Sequence, residues 1–140
     1  MPVCVDASAL LAWLLPYEQS AHVRRSWLHL LASGEQLVAP PLLLAECTSV
    51  IREASFDDIL TSAQAAQAVD ALVELPVTLV MDRFLYIRAL DLAERFQLRR
   101  AYDTQYLAAA EIEKCGLLTV DRSLYQQALK LGIKAELLLP

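Results

Sequence analysis

The sequence predicts an α/β fold in which a central parallel sheet is covered by helices on both faces. Three observations predict it. Short apolar runs of three to five residues alternate with helical patterns from one end of the chain to the other. Those runs are apolar throughout rather than every second residue, as in strands buried on both faces. With 140 residues, 56% of them hydrophobic and 21% charged, the chain can fill one core, so residues 1–140 are expected to form a single domain.

The elements follow in order. Pro2 to Val5 is a β-branched run ending at Asp6 and reads as a buried strand. Ala7 to Leu15 is helical and stops at Pro16. Ser20 to Ala32 carries Val23, Trp27, Leu30 and Leu31 at helical spacing and ends before Gly34. Gln36 to Ala39 is a second strand. Pro40 and Pro41 then open a helix from Leu42 to about Ala54, since a first turn tolerates proline. Thr61 and Gln64 form a capping box for a helix reaching Leu75. Val77 to Met81 is a strand and Phe84 to Phe96 a helix. Tyr102 to Cys115 is a helix closed by Gly116, and Leu117 to Val120 a strand. Ser123 to Leu131 is a helix closed by Gly132, and Ala135 to Leu138 a last strand.

Composition excludes several classes. The mean hydropathy of +0.38 argues against disorder. It also raises the question of a membrane span. The apolar runs Ala9 to Leu15, Leu37 to Ala45 and Leu117 to Val120 all fall short of the roughly 18 residues a spanning helix needs. The N-terminus lacks a basic region and is interrupted by Asp6, unlike a signal peptide, so a soluble cytoplasmic protein is expected. The net charge is −5, which disfavours a broad nucleic-acid surface but not a small site where metal ions offset acids. Acids crowd the middle of the chain, and Arg83, Arg88, Arg95, Arg99 and Arg100 follow; both stretches read first as solvated helix faces. Cys4, Cys47 and Cys115 are far apart and flanked by apolar residues, so they read as core rather than as zinc ligands or disulfides. His22 and His29, the two histidines, read as surface or half-buried.

In parallel α/β folds ligands bind outside the carboxyl ends of the strands. The three glycines form neither a dinucleotide nor a Walker fingerprint. Acids stand there instead. Asp6 follows the first strand and Asp121 the fourth, and each also suits a helix N-cap. Glu46 interrupts the apolar segment from Leu42 to Cys47, where a lone buried carboxylate costs several kcal/mol unless paired or metal-bound. Asp103 opens a mostly apolar helix and could cap it or pair with Arg99 or Arg100. If the four converge, repulsion forces protonation or cation binding. Carboxylates without histidine or thiol suit Mg²⁺ or Mn²⁺. Such ions lower the pKa of bound water and stabilise a phosphoryl leaving oxygen, which points to phosphodiester hydrolysis.

Val5-Asp6-Ala7-Ser8-Ala9-Leu10, Pro41 to Glu46, Tyr102-Asp103-Thr104-Gln105-Tyr106-Leu107-Ala108 and Leu118-Thr119-Val120-Asp121-Arg122 occur in the order and spacing of a PIN domain. The chain resembles the VapC-type toxin ribonucleases of that family along essentially its whole length. The resemblance implies a PIN-like three-layer α/β/α sandwich and an acidic pocket binding Mg²⁺ or Mn²⁺. It further implies cleavage of single-stranded regions of RNA, a homodimer and inhibition by a cognate antitoxin. Carried over by position, it makes Asp6, Glu46, Asp103 and Asp121 the metal ligands and catalytic residues. Ser8 resembles the family's Ser or Thr that bonds within the acidic site. Thr119 either does the same or is a buried strand threonine. Arg122 either contacts a phosphate or faces solvent. The acidic pI of about 4.9 departs from a broadly RNA-attracting surface, leaving electrostatic guidance to a strip such as Arg95, Arg99 and Arg100 or to the dimer.

The second reading is an inactive PIN-like module that binds a partner, with Trp13, Tyr17 and Trp27 as its interface rather than as core. A phosphorylated receiver domain would need paired acids after the first strand, where Asp6 stands alone. A D-x-D phosphatase would need an aspartate where Ser8 stands.

Overall fold

The computed structural model describes residues 1–15 and 21–138. Five strands form one parallel sheet: β1 (Val3–Val5), β2 (Leu37–Ala39), β3 (Val77–Leu79), β4 (Gly116–Thr119) and β5 (Ala135–Leu137). Between them run α1 (Ala7–Leu14), α2 (Ala21–Ala32), α3 (Leu42–Phe56), α4 (Ser62–Glu74), α5 (Phe84–Arg95), α6 (Asp103–Glu113) and α7 (Arg122–Lys130). The strand order is β3-β2-β1-β4-β5. The chain therefore winds outward in one direction from β1 and in the other from β4, and the switch point lies between these two strands.

Right-handed crossovers assign α1–α4 to one face of the sheet and α5–α7 to the other. Side chains agree with this. Leu43 and Leu72 meet Val77 and Leu79 on the first face, and the Cys4 thiol meets the Tyr106 carbonyl of α6 on the second. The result is the three-layer α/β/α sandwich expected from the alternating pattern.

The three central strands β2, β1 and β4 are almost wholly buried, which explains why their sequences carry no polar alternation. Trp27 is fully buried, and its indole N–H donates to the Ala9 carbonyl at 3.0 Å. Trp13 stacks on it, with ring centroids 5.9 Å apart. Trp27 is therefore a core residue, while Trp13 is half-buried against it. Tyr17, Pro16 as the stop of the first helix and Ser20 as the start of the second lie outside the described residues.

Most element ends fall within two residues of expectation. The Thr61–Gln64 capping box is formed in both directions. One terminator differs. α6 ends at Lys114, which adopts the left-handed conformation with φ 51°, not at Gly116. Gly116 is instead the first residue of β4, where an added Cβ would lie 2.7 Å from the Lys134 carbonyl oxygen. Its role is to let two backbones approach closely. Gly132 does close α7, with φ 73°. Cys4 and Cys47 are buried free thiols and Cys115 is half-buried. Both histidines are exposed.

Candidate active site

Asp6 follows β1 directly, and its backbone N–H still donates to Leu118 of β4 at 3.2 Å, so it sits on the switch point itself. Its side chain serves as the N-cap of α1, with Oδ1 accepting from the Ala9 N–H at 2.8 Å. Capping uses one lone pair, and two hydroxyls reach the rest. Ser8 Oγ lies 2.8 and 2.9 Å from the two carboxylate oxygens. Thr119 Oγ1, fully buried at the end of β4, donates to Oδ2 at 2.6 Å.

The network continues across the strand end. The Val120 N–H donates to Ser8 Oγ at 3.0 Å, and the Asp121 N–H donates to Thr119 Oγ1 at 3.0 Å. Asp121 Oδ1 in turn caps α7 by accepting from the Leu124 N–H at 3.1 Å. Thus the two hydroxyls lace β1 to β4 at their carboxyl ends, where both aspartates cap helices.

Glu46 and Asp103 enter from the flanking helices. Glu46 lies one turn into α3 and accepts the Tyr106 hydroxyl on Oε1 at 2.6 Å. Asp103 opens α6, exposed at the rim, with no side-chain cap of its own. Arg122 is the exposed first residue of α7 and takes no part in the network.

Electrostatics tie the acids together. Burial pushes the Asp6 carboxyl from its ordinary 3.8 up to about 6; the bonds from Thr119, Ala9 and Ser8 oppose this, and the charge of Asp121 adds to it. Glu46 is raised by burial against the bond from Tyr106, with Asp103 adding to the rise. Asp103 is raised by partial burial and by Asp121. Each of the four therefore acts on, or is acted on by, another. Burial and the neighbouring Glu46 also raise the Tyr106 hydroxyl, which holds its proton and donates.

Among the described residues no base forms an ion pair with these acids. The one ion pair among the described residues joins Arg88 to Glu111, far along α5 and α6. Arg99 and Arg100 are exposed and do not pair with Asp103, so the pairing alternative for that residue is not realised. The donor set, carboxylate oxygens softened by hydroxyls and free of histidine or thiol, suits a hard divalent cation. As placed, no three His, Cys, Asp or Glu side chains among the described residues form a group that encloses a metal position. A cavity of about 490 Å³ lies elsewhere, between α2 and the sheet, and is lined by His22, Arg25, His29, Glu35 and Glu136. The acid network, not cavity size, marks the site.

Tyr106 escaped the sequence reading. The available signal was its place three residues after Asp103, on the same face of α6, within the otherwise apolar run from Tyr106 to Ala110. A buried phenol in such a run needs a partner.

A parallel α/β/α sandwich with acidic residues gathered at its switch point defines the class of the protein. The PIN domain family model matches residues 3–130, and the chain belongs to that family. It is 33% identical over 124 residues to the VapC ribonuclease Mb0985 of Mycobacterium bovis, covering 85% of each chain. In fold it resembles VapBC2 from Rickettsia felis bound to a DNA fragment from its promoter, with a TM-score of 0.70, 13% identity and coverage of 97% and 98% of the two chains. A toxin–antitoxin complex from Klebsiella pneumoniae matches with a TM-score of 0.61 and 16% identity over 88% and 89% of the chains.

Proposed function

We propose that this chain is a metal-dependent endoribonuclease acting as the toxin of a toxin–antitoxin pair in the cytoplasm. The observation that carries the reading is the uncompensated set Asp6, Glu46, Asp103 and Asp121 around the β1–β4 switch point. The relative named a VapC ribonuclease supports RNA as substrate. The toxin–antitoxin complex among the structural neighbours supports an antitoxin partner.

In this reading the four carboxylates hold Mg²⁺ or Mn²⁺. Such an ion, when bound, supplies an acidified water and a counter-charge for the leaving oxygen of the phosphodiester. The residues of the chain do the rest. Thr119 and Ser8 hold both oxygens of Asp6 in place, so this carboxylate need not reorganise when a cation arrives. Asp103 and Asp121, at exposed helix N-termini, meet the substrate side of the site. In this reading Arg122, exposed beside Asp121, contacts a phosphate of the strand. Arg95, Arg99 and Arg100 are exposed and form the basic approach.

The homodimer belongs to the same proposal. Phe84, Ile87 and Leu90 form an apolar stripe on α5, each more than half exposed, beside Met81 and Tyr102. Arg83 lies at the amino end of the stripe and Asp91 and Glu94 at its carboxyl end. About a two-fold axis at Ile87, an antiparallel second copy sets Arg83 opposite Asp91 and Phe84 opposite Leu90, the self-complementarity an isologous contact requires.

The test is cleavage of structured RNAs with Mn²⁺, Mg²⁺ or EDTA, with Asp103→Asn alongside. Metal-dependent cutting that falls at least a hundredfold in the folded variant is expected. Full activity in Asp103→Asn sinks the site assignment. No cutting by folded wild-type protein under any metal moves the reading to a partner-binding module, although its proposed interface has lost Trp27 to the interior.

A further inference from the structure

We propose that Tyr106 is a positioning residue of the acidic site, its hydroxyl fixing the direction in which the Glu46 carboxylate faces the bound cation. This rests on the metal-site reading above. Glu46 differs from Asp6 in its support. Asp6 is short, fixed by its cap and bonded by two hydroxyls. Glu46 is longer, half-buried and emerges from a helix side rather than a strand end, so its carboxylate has more rotamers to choose among. Its only hydrogen bond among the described residues is the one from Tyr106, at 2.6 Å to Oε1.

Tyr106 is a rigid support for that bond. The side chain is 1% exposed, and the backbone carbonyl of the same residue accepts from the Cys4 thiol of β1 at 3.6 Å. The ring is thus enclosed, and the backbone is anchored to the strand that delivers Asp6 two residues later. One helical turn before Tyr106 stands Asp103. A single residue therefore links the acid of α3 to the acid of α6 and to the strand carrying the third. Donation to Oε1 leaves Oε2 free to face a cation, and outer groups that orient a carboxylate in this way commonly account for 10- to 100-fold in metal affinity.

The bland alternative is a core tyrosine that uses Glu46 to satisfy its own hydroxyl. Tyr106→Phe separates the two, because the ring keeps its packing and the bond alone is lost. Mn²⁺ affinity, read from the electron paramagnetic resonance signal of free ion, is compared in wild type, Tyr106→Phe, Glu46→Gln and the double variant, with Asp103→Asn as control. The expected result is affinity about tenfold weaker or more in Tyr106→Phe, and no further loss when it is added to Glu46→Gln. Unchanged affinity in Tyr106→Phe, with binding lost in Asp103→Asn, overturns the positioning role and leaves the metal site standing. Additive losses in the double variant also overturn it, as does a Tyr106→Phe protein that fails to fold. Wild-type protein that binds no Mn²⁺ overturns the metal-site reading and the positioning role together.

Discussion

Asp6 is a residue held at a cost. It is 4% exposed, its charge is opposed by burial and by Asp121, and three hydrogen bonds only partly offset this. The consequence for stability has a definite sign. The folded carboxyl keeps its proton up to about pH 6, whereas the unfolded one releases it near 3.8. The folded state therefore binds more protons between these values, and stability falls as pH rises through them. At neutral pH the deficit is about 3 kcal/mol. Glu46 and Asp103 are shifted in the same direction. Metal-free protein in EDTA should accordingly melt several degrees higher at pH 5 than at pH 7.5. Asp6→Asn should flatten this profile and raise the midpoint at pH 7.5 while abolishing cleavage. A midpoint that drops on acidification in wild type, or an Asp6→Asn variant that melts lower, contradicts the account. At this scale the sequence was informative because an acid beside an apolar run is conspicuous: Asp6, Glu46 and Asp121 could all be picked out. Tyr106 could not, since a tyrosine among alanines and leucines reads as core until its hydroxyl is seen to have a partner on another helix. Asp6 also shows that capping and membership of the acidic network coexist, one oxygen closing the helix while the other accepts from Thr119.

Elements were legible wherever local rules act alone. The capping box at Thr61 and the left-handed Gly132 need only neighbours in sequence, and both formed as read. Gly116 shows where such rules run out. A glycine after a helical run looks like a terminator, but Lys114 takes the left-handed position despite its side chain, and the helix stops two residues earlier. What demands glycine at 116 is the carbonyl of Lys134, 18 positions away on the approach to β5, and no local pattern reveals that. Gly116→Ala should therefore behave as overpacking between two backbones that cannot both yield. A loss of about 1–3 kcal/mol is expected in urea unfolding from this crowding, whereas Gly34→Ala, whose added Cβ meets nothing within 4 Å, loses about 1 kcal/mol through its φ of 75° alone. A neutral Gly116→Ala would mean that β4 and β5 separate more readily than their pairing indicates.

For the whole molecule, the strand order decides where chemistry can sit, and only the fold supplies it. The sequence places acids after two strands; it does not say that those strands are neighbours. Order β3-β2-β1-β4-β5 makes them so, and lets Thr119 of one strand bond the acid that follows the other. The same winding places α5 on an outer layer, where Phe84, with the Arg83 guanidinium 5.4 Å from its ring centroid, Ile87 and Leu90 are each more than half exposed among the described residues. Their exposure was invisible in the sequence, because helical spacing describes an inward and an outward apolar stripe alike. Isolated exposed apolar residues need no explanation, but three in register along one helix, bounded by opposite charges, form a patch that favours association. Ile87→Arg, at the proposed dyad, would meet its own copy and add like charge where apolar contact is expected. Light scattering should then show wild type at twice the chain mass and Ile87→Arg at the chain mass, with an unchanged circular dichroism spectrum. An Arg83→Asp, Asp91→Arg pair of exchanges should retain the dimer, while Arg83→Asp alone weakens it by setting two aspartates face to face. A wild type that runs as a monomer at every concentration, or an Ile87→Arg variant that remains dimeric, removes α5 as the seam and leaves its stripe to another partner.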